Sequence, residues 1–364
     1  MTAPVRFALV GCGVIARTQA RALAAMPGDA ELVACSDIDP ARAQALAQEF
    51  GVTALPYADV LADPTIDAVT VCTPSGAHAE VGVPALEAGK HVLVEKPMEI
   101  TLEACDRLLD AAERSGTVLA VVSQHRFDPA SQAVAQAVAD GELGRLLLAE
   151  CRVPWFRTQE YYDSGDWRGT WTLDGGGALM NQGIHTLDLL RWLCGPVRTV
   201  YGATATTAHD RIEVEDVACA TLTFADGALA TLMASTGAYP GRPAQLAVHG
   251  TRGGAVIDGD RLALLAVHGE PERGRETAHP HARQVAAGGT RAATEALDAR
   301  AVADDAPSDE SYPWGEAHRR QMLDMVDAIR AGRTPLVDGP AGRAAVELVL
   351  AVYESARTGQ PVHL

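Results

Sequence analysis

The run His91-Val92-Leu93-Val94-Glu95-Lys96-Pro97 sets an ammonium at the end of an apolar stretch. If that stretch is a parallel strand, Lys96 stands at its carboxyl end, where open α/β sheets hold their ligands. Pro97 fixes φ, and a cis Lys96–Pro97 bond would turn the chain so that the ammonium faces a cleft. Alone, the tripeptide also suits a charged turn. The second group with chemistry is His185, in a segment Ala178–Trp192 that reads as one helix opened by Gly175-Gly176-Gly177. Asn181, His185 and Asp188 fall at i, i+4 and i+7 on one face, leaving Leu179, Leu187, Leu190 and Leu193 for packing. A lone helical histidine is usually structural. Beside a glycine-rich mouth it suits proton transfer, because imidazole titrates near neutrality.

The elements upstream decide for the lysine. Val5–Val10 runs straight into Gly11-Cys12-Gly13-Val14-Ile15-Ala16, a Gly-x-Gly-x-x-Ala fingerprint with a strand before and a helix after. Gly11 permits the tight turn, Gly13 lets a pyrophosphate approach, and Ala16 allows close helix–strand packing. The helix N-terminus offers free N–H groups and partial positive charge to phosphates. Asp37, ending the second strand, is placed to bind both adenosine ribose hydroxyls and to repel a 2′-phosphate, which favours NAD over NADP. A turn aspartate before Asp39-Pro40 is the plainer alternative. Thr73-Pro74-Ser75-Gly76-Ala77-His78 follows strand three, where Ser75 and His78 could line the nicotinamide ribose; a strand-to-helix turn explains the same residues.

Strand-like segments Val5–Val10, Leu32–Ser36, Ala68–Cys72, His91–Val94 and Val118–Val122 alternate with helical runs Val14–Ala25, Ala41–Phe50, Ala79–Ala88 and Leu102–Ser115. Such βα units predict a doubly wound parallel sheet over residues 1–123. From Gln124 the rhythm stops. Pro129–Asp140 reads as a helix, and later strands pair through Asp226-Gly227 and Asp258-Gly259 turns. Residues 124–364 therefore read as an α+β domain with an open, mostly antiparallel sheet. Its C-terminal helices, within 316–358, could pack back on the first domain. Gly269–Asp309, rich in Ala, Gly, His and charge, reads as a surface excursion.

With 364 residues, 48% hydrophobic and 21% charged, the chain has room for two cores. A net charge of −17 argues against nucleic acid. No apolar run approaches the ~20 residues of a membrane span, and nothing at the amino end resembles a signal peptide. The seven cysteines contain no Cys-x-x-Cys pair and read as reduced thiols of a cytoplasmic protein, with no metal site. An open sheet with an uncovered face points to a homodimer or homotetramer.

Between Trp155 and Trp171 lie Trp155, Phe156, Tyr161, Tyr162, Trp167 and Trp171, interleaved with Arg157, Asp166 and Arg168. Rings suit stacking on a sugar, and arginines suit a carboxylate or phosphate. A packing or oligomer surface is the alternative. Expected substrate contacts are Arg126, Arg157, Tyr161, Trp167, Arg168, Trp171, Asn181 and His185. Expected cofactor contacts are Gly11, Cys12, Gly13, Val14, Ile15, Asp37, Ile38, Thr73, Pro74, Ser75, His78, Glu95, Lys96 and Gln124.

Together, Gly11–Ala16, Thr73-Pro74 to His78, Glu95-Lys96-Pro97 and Asn181-Gln182-Gly183-Ile184-His185 resemble the glucose–fructose oxidoreductase / inositol dehydrogenase (Gfo/Idh/MocA) family. The resemblance implies a Rossmann domain followed by an open sheet, Lys96 as the catalytic lysine and His185 as the acid/base. The family often has aspartate four residues before this histidine; here Asn181 stands there, removing a charge beside the substrate. Tyr161-Tyr162, Trp167–Trp171 and Asp174–Gly177 look most like members acting on nucleotide sugars or pyranosides, UDP-N-acetylglucosaminuronate 3-dehydrogenases being the nearest type. The expected activity is NAD-dependent oxidation of a secondary alcohol of a sugar, cyclitol or nucleotide sugar. An NAD-assisted glycoside hydrolase or epimerase with transient oxidation, and an NAD-sensing binding protein, are the alternatives.

Overall fold

The computed structural model describes residues 3–269 and 315–364; the expected excursion lies, after Gly269, outside the described residues. Six parallel strands form the first sheet: β1 (Val5–Val10), β2 (Ala30–Ser36), β3 (Thr53–Ala54), β4 (Ala68–Val71), β5 (His91–Val94) and β6 (Leu119–Val121), in the order β3-β2-β1-β4-β5-β6. The order reverses beside β1, which makes the crevice over the carboxyl ends of β1 and β4 the natural ligand site. Strand β4 is buried along its whole length, as a strand covered on both faces must be.

The helices between these strands are α1 (Val14–Ala24), α2 (Pro40–Phe50), α3 (Tyr57–Ala62), α4 (His78–Glu87) and α5 (Leu102–Ser115). Asp39 caps α2 and Thr101 caps α5 by accepting main-chain N–H groups, and Gly116 ends α5 in the left-handed region. Two short elements escaped the sequence reading, β3 and α3. Neither is long enough to show a period.

After α6 (Pro129–Ala139), the second sheet contains β7 (Leu146–Pro154), β8 (Val197–Ala205), β9 (Val217–Phe224), β10 (Leu229–Ser235), β11 (Gln245–Gly250), β12 (Gly253–Asp258), β13 (Arg261–Val267) and β14 (Val362–His363). Their order is β13-β12-β11-β7-β10-β9-β8-β14. Only β7 and β10 pair parallel; the remaining ladders are antiparallel. Burial alternates along β9 and β10, so one face is packed and the other open.

Three further helices complete the described chain: α8 (Ile184–Cys194), α9 (Gly315–Ala331) and α10 (Gly339–Thr358), with a short α7 (Gln159–Asp163) in the loop before α8. Helix α9 packs Met322, Met325 and Val326 against Phe7, Leu23 and Val122 of the first sheet's layer. Helix α10 bridges the two sheets. A Cβ on Gly342 would lie 2.5 Å from Val121 Cγ2, while Val352 Cγ1 sits 2.8 Å from where Gly202 of β8 would carry one. One apolar cluster accordingly runs from Val92 and Val121 through Val349 and Val352 to Leu187 and Leu222. Truncating Leu187 or Leu222 to alanine would cost about 2–5 kcal/mol. This shared core fixes α8, with His185, against the carboxyl edge of β5.

The segment expected as one helix, Ala178–Trp192, is two. Residues Ala178–Gly183 form a wide π-type turn, and regular helix begins at Ile184. The cause is outside the segment. The Glu215 carboxylate accepts the Gly177 and Leu179 N–H groups, at 3.0 and 2.8 Å, and the Lys96 ammonium takes the Asn181 carbonyl at 2.8 Å. Main-chain groups held by side chains leave the regular ladder, and such turns recur at functional sites. Asn181 therefore faces Lys96, while the Asp188 carboxylate is taken up by Arg126 and Ser123.

Candidate active site

At the tip of β1, Gly11 has φ +92°, and a Cβ there would meet the Cys72 carbonyl carbon at 2.7 Å. No other residue fits under the end of β4. Gly13 faces open space and caps α1 without a side-chain partner, so the helix presents bare N–H groups to the crevice. The Asp37 carboxylate stands beside this loop, accepting the Cys12 N–H at 2.7 Å and the Asp39 N–H at 2.8 Å. Val14 and Ile38 flank it with exposures of 84% and 104%, an apolar pair that nothing in the chain covers among the described residues. Deeper in the crevice, Thr73 Oγ1 and Gln124 Oε1 are buried without a hydrogen-bond partner. Buried polar atoms are almost always paired. Two orphans on one side of a glycine-rich helix start fit a dinucleotide that would supply the missing partners.

Two of the expected cofactor residues stand behind the crevice. His78 is 1% exposed, with its ring nitrogens 2.9 Å from the Pro97 carbonyl and 3.0 Å from the Thr73 carbonyl; burial lowers its pKa, and the neutral ring donates to one of the two. It clamps the ends of β4 and β5 together. Glu95 is buried against Gln19 of α1 and accepts the Lys96 N–H at 3.1 Å, so it fixes the backbone under the lysine. Ser75 is also buried.

The Lys96–Pro97 bond is cis, and the ammonium donates to Asn181 O at 2.8 Å and Oδ1 at 3.3 Å. Two of its three N–H donors are thus used, leaving one. Burial lowers the Lys96 pKa, with Glu95 and Asp174 opposing the shift. Lys96 and His185 line one narrow cavity with Pro97, Ser123 and Asp188. His185 also stands at the end of a cleft of about 450 Å³ bordered by His125, Trp155, Arg157, Arg242 and Asp260. Burial, then the charges of Lys96, His125 and His318, hold the His185 pKa well below the usual imidazole value. At neutral pH it is an unprotonated base.

Arg157 stacks over Trp155 and Tyr161, with its guanidinium 5.3 and 5.2 Å from the ring centres, and donates to Gln182 Oε1 at 2.8 Å. Its Nε is buried and unpaired. Arg168 lies 4.3 Å above Tyr161 and 4.5 Å above Trp167, and donates to the Tyr161 hydroxyl at 2.7 Å. Trp171 is 45% exposed, edge-on to Tyr353. Tyr162 is a packing residue, buried and bonded to Thr236 at 2.8 Å.

Arg126 corrects the sequence reading. Expected to meet substrate, it is 4% exposed and forms a two-pronged ion pair with Asp188 at 2.7 and 2.6 Å, over the Trp192 ring. A guanidinium satisfied in this way is a strut between the residues after β6 and α8. Sequence reasoning missed His125, which approaches His185 edge-on with ring centres 5.2 Å apart. Against the effect of burial, bonds to Asp128 at 2.7 Å and Asp260 at 3.3 Å raise it to about 9. The sequence signal was weak, since Asp260 is distant along the chain.

Comparison with known proteins gives the family. Residues 5–123 match the model of the oxidoreductase family with an NAD-binding Rossmann fold, and residues 131–256 match the GFO/IDH/MocA C-terminal domain. D-apiose dehydrogenase of Paraburkholderia graminis is 30% identical over 98% of this chain and 89% of its own. The scyllo-inositol 2-dehydrogenase (NAD(+)) of Bacillus subtilis is 27% identical over 99% and 96%. The crystal structure of the WlbA dehydrogenase from Bordetella pertussis, in complex with NADH and UDP-GlcNAcA, superposes with a TM-score of 0.84 and 33% identity, covering 100% of this chain and 98% of that one. The chain belongs to the Gfo/Idh/MocA family of oxidoreductases with an NAD-binding Rossmann fold.

Proposed function

We propose that the protein is an NAD-dependent dehydrogenase that oxidises a secondary alcohol of a sugar or cyclitol, with an anionic sugar such as a nucleotide-linked uronate as the favoured substrate. The observation that carries the reading is that Lys96 and His185 border one narrow, water-sized cavity of about 20 Å³ at the carboxyl edge of β5, while His185 also borders the cleft of about 450 Å³ that has room for a sugar. His185 takes the hydroxyl proton on its neutral ring. Lys96 directs its remaining N–H at the same oxygen and stabilises the alkoxide charge as it develops. Bound NAD supplies the hydride acceptor. Gly11, Gly13 and the start of α1 would hold its pyrophosphate, Asp37 would hold its ribose, and Val14 and Ile38 would offer apolar surface to its adenine. Thr73 and Gln124 provide polar partners deeper in the crevice.

The anionic substrate is supported by the unpaired Nε of Arg157 and by the pair of arginines over Tyr161. An unpaired buried donor costs about 1–3 kcal/mol, and an incoming carboxylate or phosphate removes that cost. The WlbA neighbour bound to UDP-GlcNAcA adds support. A homodimer or homotetramer is favoured by the open face of the second sheet, where Leu148, Tyr201 and Leu229 are 42%, 52% and 53% exposed. A cytoplasmic location is favoured by seven free cysteines, six of them buried. Among the described residues no helix is long and apolar enough to cross a membrane.

The test is reduction of NAD in the presence of UDP-GlcNAcA, neutral pyranosides and inositols. We expect NADH to accumulate, with the highest kcat/KM for the anionic sugar. Product without accumulating NADH would replace the dehydrogenase with an internal redox cycle. Preference for a neutral sugar would remove the anionic assignment.

A further inference from the structure

Asn181 faces Lys96 with an uncharged amide, and a carboxylate lies one hydrogen bond behind it. Asp174, 2% exposed, closes the turn before the triple glycine. Its Oδ2 accepts the Gly169 N–H at 2.8 Å, and its Oδ1 accepts from Asn181 Nδ2. That second bond decides which end of the amide faces which neighbour. With Nδ2 committed to Asp174, Oδ1 points the other way and accepts from Lys96 Nζ at 3.3 Å and Gln182 Nε2 at 2.9 Å. Gln182 in turn meets Arg157 at 2.8 Å and Tyr161 at 3.0 Å. The amide therefore joins the support of the lysine to the arginine-rich loop.

We propose that Asp174 is a positioning residue for Lys96: acting through the Asn181 amide, it orients the oxygen toward the ammonium and supplies from one bond away the counter-charge absent at position 181. The proposal rests on the assignment of Lys96 to the reacting oxygen. The electrostatics agree in direction. Burial lowers the lysine, and Glu95 and then Asp174 oppose that shift; burial raises Asp174, and bonds from Gly169 and Asn181 and the charge of Lys96 oppose it.

Replacing the carboxylate with an amide has a definite consequence. In Asp174→Asn, a side chain that keeps its oxygen on Gly169 N–H presents an NH2 to Asn181. Asn181 must then reverse and turn its own NH2 toward the ammonium, donor against donor. Charge and orientation are lost together, while the Gly169 bond is kept.

A double-mutant cycle read as kcat tests this, with NAD affinity measured alongside. Asp174→Asn should lower kcat by about 10- to 100-fold, the range of a lost electrostatic contribution, with the NAD dissociation constant within about two-fold of wild type. In a Lys96→Met background the same change should alter kcat by less than about two-fold, because the group it serves is gone. Relocating the carboxylate, Asp174→Asn with Asn181→Asp, should restore kcat to within about five-fold of wild type. Equal losses in both backgrounds would overturn the proposal and make Asp174 a residue of the turn alone. A single variant with normal kcat would overturn it too. If Asp174→Asn also weakens NAD binding, the relocated carboxylate decides: rescue supports the proposal and no rescue overturns it. Normal turnover by Lys96→Met would bring down the assignment of the lysine, a different failure from additive losses around an inactive Lys96→Met.

Discussion

Lys96 and Arg157 are joined through the Asn181 and Gln182 amides but are held in unlike ways. Lys96 follows β5, whose backbone is pinned on both sides by parallel pairing to β4 and β6, with Glu95 and His78 clamping the turn beneath it. Arg157 lies in a loop fixed by side chains: rings of Trp155 and Tyr161, the Gln182 amide and, through Tyr161, Arg168. On the strand side a residue can be changed while its neighbours stay, because regular backbone holds the geometry. On the loop side each side chain is part of what positions the next. Substitutions on the strand side should leave the cofactor site intact, with the bond from Lys96 to the Asn181 amide as the one coupling across, and those on the loop side should be coupled to one another.

The largest effects are expected where the reacting groups sit. Lys96→Met and His185→Asn should each lower kcat by roughly 10²- to 10⁴-fold while leaving NAD affinity nearly intact, since neither residue is needed for phosphate or ribose. Titrating NADH binding to both variants and measuring their turnover checks this. A matching loss of cofactor affinity would show that the strand side is not separable.

Arg157→Ala probes the loop. Substrate KM should rise about 10- to 100-fold, as for a lost charge-assisted pair, with NAD binding unchanged. Because Gln182 bonds both Arg157 and Tyr161, Arg157→Ala and Gln182→Ala should combine to well under the sum of their separate free-energy costs. Additive losses in that pair would erase the contrast drawn between the two sides.

The same contrast explains what could be seen in the chain. Strand β5 and helix α5 fell at the predicted residues because their signals are local: an apolar run for the strand, and a helical run bounded by the Thr101 oxygen and by Gly116, free to turn, for the helix. The fingerprint at Gly11–Ala16 is local as well. The split of Ala178–Trp192 was not legible, since it depends on Glu215 and Lys96, which the segment does not contain. Nor was the use of Arg126, which only the buried Asp188 reveals. Asp174 was visible as part of a motif, but its bond to the Asn181 amide was not. Spacing finds residues on one element; partners brought by packing need the fold.

A smaller effect is expected from Asp37→Ala. Two main-chain N–H groups orient this carboxylate at the end of β2, without help from the loop side. Wild type should prefer NAD, and the variant should narrow the kcat/KM ratio of NAD to NADP by about 10-fold, the scale of one charged hydrogen bond to ribose. Assays with both cofactors on one sugar give the ratio. A wild-type preference for NADP would remove Asp37 from its assigned role.

The smallest expected change reads the field across the boundary between the two sides. His185 is depressed by burial first, then by the positive charges of Lys96, His125 and His318, with Asp188 on its own helix already neutralised by Arg126. A base works only unprotonated, so kcat/KM should stay level through neutral pH and fall on the acid side only below the ordinary histidine value of 6.5. His125 is held as a cation by Asp128 and Asp260 and meets His185 edge-on. His125→Gln removes that charge and leaves two carboxylates less compensated. Both changes favour protonated His185, so the acid limb should move to higher pH. The displacement should be under about one pH unit, since burial and Lys96 remain. Profiles of wild type and variant on one substrate measure it. A limb that stays put would mean His125 contributes packing but no field, and one that moves to lower pH would contradict the sign of the interaction.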